Sequence, residues 1–244
     1  MATVIGALLV VLAFVAVFGL FLTQVVPAWM ATNEESWGDS VRASLAQFQS
    51  TVDLQTSLGS PASATTPISL TSAGVPVLAA GTEGSLDVLP QHPGFVNVSM
   101  SVGPGGVLGY YQNVSGGAIS VSLPDRYSSP QTFVFEAGAI IAVGPSGGAA
   151  IEFPPQFSVH RTSGNTSVSL SLLDLSGTAS GTTGGTQGIV GQMLERTSTS
   201  SDGRTGSGSS AMPFELSVRI GSEHACAWYS YLDSTLLVSG LPSG

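Results

Sequence analysis

Three groups of residues have types and spacings that chemistry uses. Gly144-Pro145-Ser146-Gly147-Gly148 fits G-x-S-x-G, and Asp174 or Asp202 and then His224 complete the chain order of a hydrolase triad. That chemistry needs a helix directly after the serine, so that the hydroxyl stands exposed on a sharp turn. Ser146 is instead succeeded by "GGAAIEFPP", which reads as a strand ended by prolines, so a hairpin turn accounts better for the motif. Cys226 is the one cysteine, which excludes an intramolecular disulfide and a CxxC metal site. It reads as a small buried apolar residue, and His224 beside it makes only two ligands, short of a zinc site. Asn97, Asn113 and Asn165 each head an N-x-[ST] sequon and are candidate N-glycosylation sites. The expectation is a protein with no catalytic residues, metal or cofactor.

Composition narrows the partners. The chain of 244 residues has six Lys plus Arg, all of them Arg and scattered singly, against fifteen acidic residues, for a net charge of −9. Nucleic acid is excluded as a partner, because a phosphate-binding face needs clustered basic residues. Only 9% of residues are charged. Gly, Ser and Thr stand in their place, which suits a surface in harsh medium.

The element that must position everything else comes first. From Val4 to Leu22 no residue is charged or strongly polar, a run close to the ~20 needed to cross the hydrocarbon core of a bilayer. A secretion signal would open with basic residues, carry a shorter apolar core of ~7–15 residues and end in small ones. Beyond Pro27 the pattern becomes amphipathic: Trp37, Val41, Leu45, Phe48 and Val52 lay one stripe along a helix. Glu34, Glu35, Asp39, Arg42, Gln47 and Asp53 fall mostly on the other face. Pro27 kinks the helix, Gly59 suits its C-terminus and Pro61 prevents continuation. A helix from Ala2 to Leu58 is roughly 85 Å long at ~1.5 Å per residue. Gly6, Ala7, Ala13, Ala16 and Gly19 place small side chains along its apolar half, where helix backbones can approach closely.

After a linker over 59–66 the period changes to two. "FVNVSMSV", "AISVSL", "SVSLSL" and "FELSVRI" alternate apolar and polar residues, with Phe214, Leu216, Val218 and Ile220 on the inward side of the last. "QTFVFEAGAIIAV" reads as one long central strand. Residues 176–211 form a Gly/Ser/Thr tract read as a mobile surface excursion, whose apolar island from Ile189 to Leu194 is alternatively a dock for a neighbouring subunit. The fold class expected is α+β: a filament-core or membrane helix over 1–58, apolar then amphipathic, carrying a mainly antiparallel β-sandwich head over 67–244.

The stretch "TVIGALLVV" (Thr3 to Val11), continued by an amphipathic segment and a β-rich head, resembles the archaeal type IV pilins and archaellins. Bacterial members of that superfamily usually carry a glutamate at the fifth mature position. Ile5 stands here, which favours the archaeal branch. The resemblance is specific over about thirty residues and architectural beyond them. It implies a homo-oligomeric helical filament outside the cell, serving adhesion, surface contact or motility. It also implies a prepilin peptidase, an assembly machinery, and a transmembrane stage before assembly. The chain is then the processed form, or Met1 is the start codon and the family pattern is broken. Under that reading Val4, Ile5, Gly6, Leu8, Leu9, Leu12, Ala13, Ala16, Gly19 and Leu20 pack the filament core, and Trp37, Val41, Leu45, Phe48 and Val52 dock the head on its helix. The competing expectation is a monomeric, membrane-anchored surface domain that binds a ligand or partner in its loops.

Overall fold

The computed structural model describes residues 2–59, 63–102, 112–162, 165–171, 173–178, 180–192 and 214–239. The chain is an α+β protein whose long N-terminal helix leads into an antiparallel, sheet-rich head. Helix α1 (Ala2–Leu20) passes through a π-helical segment (Phe21–Val25) into α2 (Val26–Leu58). The π segment meets the demand of Pro27. Proline lacks an N–H, and its ring crowds the carbonyl one turn back. Widening that turn, with the Val26 amide donating to the Phe21 carbonyl, lets the helix run on through the proline. Gly59 closes α2.

Eleven strands come next among the described residues: β1 (Ser63–Ser69), β2 (Ser85–Val102), β3 (Gln112–Leu123), β4 (Gln131–Glu136), β5 (Ala139–Val143), β6 (Ala149–Phe153), β7 (Phe157–Thr162), β8 (Asn165–Leu170), β9 (Ser180–Thr183), β10 (Thr186–Gln192) and β11 (Phe214–Gly221). The main sheet has the order β11-β2-β3-β4-β5-β6, and β9 pairs with the first residues of β2. Strands β1 and β10 form a separate ribbon, as do β7 and β8. A last helix, α3 (Ala225–Val238), ends the described chain.

Two apolar layers hold these parts together. On one face of the sheet Leu86, Ile119, Val121, Leu123, Phe133, Phe135 and Ile140 meet the α2 stripe, together with Ile68 and Leu70 from β1 and its end and Ile189 from β10. On the other face Ala118, Ala137 and Ala139 leave room for Trp228 of α3, with Val134 and Ile141 beside it. The head is therefore layered: α3, sheet, then α2 flanked by the β1–β10 ribbon.

Four expectations change. The run "QTFVFEAGAIIAV" is a hairpin, β4–β5, because Ala137 and Gly138 both take positive φ (49° and 89°), the backbone of a tight primed turn. The tract at 176–211 is structured over 180–192, and Ile189 of its apolar island is buried in the chain's own core, since β10 pairs with β1 along its length. Residues 193–211 lie outside the described residues. Cys226 is exposed, because α3 turns Ala227 and Trp228 to the sheet and its neighbour outward. Strand β1 begins at Ser63, inside the stretch read as linker. The side chains of residues 91–102 and 214–218, which carry the expected alternation of β2 and β11, lie outside the described residues, as do those of Asn113 and Asn165.

The β4–β5 turn gives a direct check. Gly138→Ala puts a Cβ on a residue at φ 89°, with Leu173 Cδ1 only 3.3 Å away. It should cost about 1–2 kcal/mol in chemical denaturation of the full chain in detergent, with no change in far-ultraviolet circular dichroism.

Candidate functional site

The candidate site is the N-terminal helix and its seat in the head. In α1 the side chains of Val4, Ile5, Leu8, Leu9, Leu12 and Leu20 are each more than half exposed, and those on every other side of the helix are similarly bare. Phe14 and Phe18 stack on one another 6.1 Å apart, and both are exposed. Ala13 and Ala16 are exposed, and a Cβ built at Gly6 or Gly19 meets nothing within 4 Å. The helix is long and apolar enough to cross a membrane. In water each such Leu, Val, Ile or Phe would cost about 1.5–3 kcal/mol relative to burial, so this half of the helix is built for apolar surroundings.

The other half is the centre of the head. Trp37, Val41, Leu45 and Phe48 are buried in the main core, with Val52 packed against it, and the Phe48 and Phe135 rings meet edge to face at 5.2 Å. Polar side chains add fixed points along the same face. The Asn33 amide donates to the Ala73 carbonyl (2.9 Å) and the Trp37 indole N–H to the Ser69 carbonyl (2.7 Å). Gln49 Nε2 donates to both the Gly138 and Pro154 carbonyls at 2.8 Å. Arg42 pairs with Asp39 and Glu152 and lies over the Phe133 ring, 5.5 Å from its centroid.

Glu34 is the fixed point that sequence reasoning placed wrongly, on the polar face of α2. Its side chain is fully buried. The Thr82 hydroxyl donates to Oε1 at 2.5 Å and the Arg126 amide at 3.1 Å. The Tyr127 and Ser128 amides donate to Oε2 at 2.8 and 2.9 Å. The residue lies three positions before Trp37, so helix geometry puts it on the buried stripe whatever its type. The signal was in the spacing, not in the residue class. Burial raises the Glu34 pKa, but the Thr82 hydroxyl and the three amides lower it by more, and the carboxyl titrates below its ordinary 4.5.

Asp125 adjoins this cage with its carboxylate oxygens buried and without a well-aligned hydrogen bond. Burial pushes its pKa up to about 6; the nearby Ser128 hydroxyl offsets part of this and the Glu34 charge adds to it. The head thus holds one carboxylate where ionisation is favoured and a second where it is resisted.

The hydrolase constellation does not assemble around a nucleophile elbow. Ser146 lies in the β5–β6 hairpin, closed by the Gly144 amide on the Gly148 carbonyl (2.9 Å), and β6 takes the place of the required helix. His224 precedes the first turn of α3, and Asp202 lies outside the described residues. Among the described residues no group of three His, Cys, Asp or Glu is placed to hold a metal ion. Compared with family models, with characterised proteins and with solved structures, the chain finds no match.

The carboxylate pair can be probed in two ways. Glu34→Gln keeps the shape of the side chain but turns an N–H toward backbone donors, and should lower unfolding stability at pH 7 by about 2–3 kcal/mol in thermal or denaturant melts of the full chain. The second probe is pH. In the unfolded chain Asp125 ionises near 3.8, whereas the folded head holds its proton to about 6. Its penalty is therefore absent below 3.8, grows between those values and is complete above 6. Glu34 acts oppositely: its contribution is complete above its ordinary 4.5 and is lost as pH falls through its lowered folded value. The melting midpoint should rise from pH 7 to about 5 and fall again on further acidification below about 4. Asp125→Asn should remove the first limb and leave the second, while an unchanged profile would show that the two carboxylates do not govern acid stability.

Proposed function

We propose that the chain is a pilin-like subunit of an extracellular filament, whose apolar N-terminal helices bundle into a core and whose heads form the outer sheath. One observation carries this reading: a single continuous helix is bare and apolar on all sides over its first half and forms the centre of the head over its second. A plain anchor needs only a flexible stalk between membrane and head. A rigid stem fixed into the head sets the head's position relative to its own apolar half, which is what repeated packing into one helical array requires.

The energetics agree. Moving α1 from lipid into a bundle of identical helices exchanges one apolar surrounding for another, so little hydrophobic free energy changes. Association then depends on close packing, for which Gly6, Ala13, Ala16 and Gly19 leave space. In water the same surface would be costly to expose, so an assembled filament would not release subunits readily. The resemblance of "TVIGALLVV" to archaeal pilins and archaellins supports the same reading, with processing by a prepilin peptidase and passage through the membrane before assembly. Attachment, surface contact and motility are the roles such filaments serve.

Electron microscopy of material sheared from cells, with mass spectrometry of the N-terminal peptide, tests this. Filaments built of this chain with a processed N-terminus are expected. Single copies found only in detergent-extracted membranes would instead leave a monomeric anchored binding domain. Ala13→Glu places a charge in the packed half, where burial without a partner costs several kcal/mol or more. It should abolish filaments while leaving the head's melting curve unchanged; normal filaments from this variant would overturn the packing account.

A further inference from the structure

The loop 73–81 runs down the helix toward the apolar span. After β1 the chain meets α2 at successively earlier residues. Ser69 accepts from Trp37 and Ala73 accepts from Asn33. Val75 then joins Val26 and Met30 in a small buried cluster, against which Phe21 and Ala79 pack. Phe21 belongs to the apolar stretch that ends at Leu22. The loop therefore reaches the level where the membrane-length part of the helix stops, and Pro76, Val77 and Leu78 form its tip.

That tip is apolar, exposed and held. Val77 is 105% exposed and Leu78 40%. No charged residue occurs between Asp53 and Glu83. The Val75 and Ala79 backbones bond to each other at 2.9 Å in both directions, and the Leu78 amide donates to the Val75 carbonyl at 3.1 Å. The neck is narrow: a Cβ at Gly81 would lie on the Ser72 carbonyl, and one at Gly74 would lie 2.5 Å from the Ala79 carbonyl. Val77 has φ 68°, the left-handed region that a β-branched residue resists and glycine accepts. A valine at that position is strained backbone spent on displaying an apolar side chain to solvent, which is an outlier that calls for an external partner. Close by, Trp29 is half exposed with its ring edge to face on Phe21 (5.7 Å), the kind of aromatic that settles at a membrane–water boundary.

We propose that Val77 and Leu78 insert into the headgroup layer of the bilayer beside the helix, so that the head stands on the membrane through a second foot. The proposal rests on α1 spanning the bilayer and does not depend on filament formation. Val26, which shares a buried cluster with Val75, lies four residues beyond Leu22. At ~1.5 Å per residue that is roughly 6 Å above the hydrocarbon edge, inside a headgroup layer of about 5–8 Å. The nearest charged side chain of α2, Glu34, lies two turns farther out and is caged within the head. A lipid surface is favoured over a second copy of the chain because the loop is continuous with the apolar span and carries no charge or hydrogen-bonding side chain at its tip to set a register with a protein partner.

The test uses the full chain with Cys226→Ser, carrying one nitroxide label at Val77→Cys and reconstituted in phosphatidylcholine vesicles. Relaxation by oxygen is compared with relaxation by a water-soluble nickel chelate. The label at position 77 should be several-fold less accessible to the chelate than one at Leu54→Cys, which is exposed far along α2. A label at Leu78→Cys, where φ is not positive, should behave like the one at 77. Equal chelate access at 77, 78 and 54, with a label at Leu12→Cys lying in lipid, would overturn the loop contact alone. Free chelate access at Leu12 as well would overturn the membrane span on which it rests. Shielding of 77 that arises only in assembled filaments, with free access in vesicles, would also overturn it and assign the tip to a neighbouring copy.

Discussion

The structure depends on one continuous helix with two kinds of surface, apolar on every side over its first half and striped over its second. In apolar surroundings every backbone N–H and C=O needs a partner, and a single helix supplies nearly all of them within its own segment. Inside the head, the same helix must offer an apolar face of the right spacing to a sheet. A joint between the two regimes would expose unpaired backbone groups where apolar surroundings begin. The chain avoids a joint altogether: it widens one turn at Phe21–Val25, absorbs Pro27, and continues to Leu58. The sheet, the β1–β10 ribbon and the neck of the 73–81 loop are all arranged around that rod.

Polar groups do the fixing that apolar contact leaves open. A greasy stripe permits sliding and rotation, because burial is roughly proportional to area and indifferent to direction. The carboxylate of Glu34, the indole N–H of Trp37 and the amide of Gln49 each have specific partners on different parts of the head. Together they define one rotation and one height of the helix. The low charge content of the chain makes this more marked, since few other ionic groups compete for the same donors.

The gross plan was legible in the sequence because it rests on period and length. Nineteen apolar residues, a four-four-three-four stripe and alternating strands are each hard to mistake. What escaped depended on tertiary context. Glu34 is an acidic residue among others that face outward, yet it sits three positions before Trp37 and is buried. Ala137-Gly138 lacks the Asn or Asp that usually announces a primed turn, so β4 and β5 merged into one strand. The Gly-rich composition around Ile189 hid a strand whose stability comes from pairing with β1, far away in sequence. In α3 only Ala227 and Trp228 are buried, too few to print a helical period on a segment rich in Tyr and Ser.

The spacing of those polar ties has a mechanical meaning. Asn33, Trp37, Gln49 and Gln55 hold carbonyls at points spread along most of α2. A pull on the head along the helix axis loads all of them together, in shear, rather than peeling them one after another. Bonds strained in parallel share the force, so the weakest does not set the limit. The stem and head would then yield as one body under tension, and slippage would have to begin elsewhere along the load path.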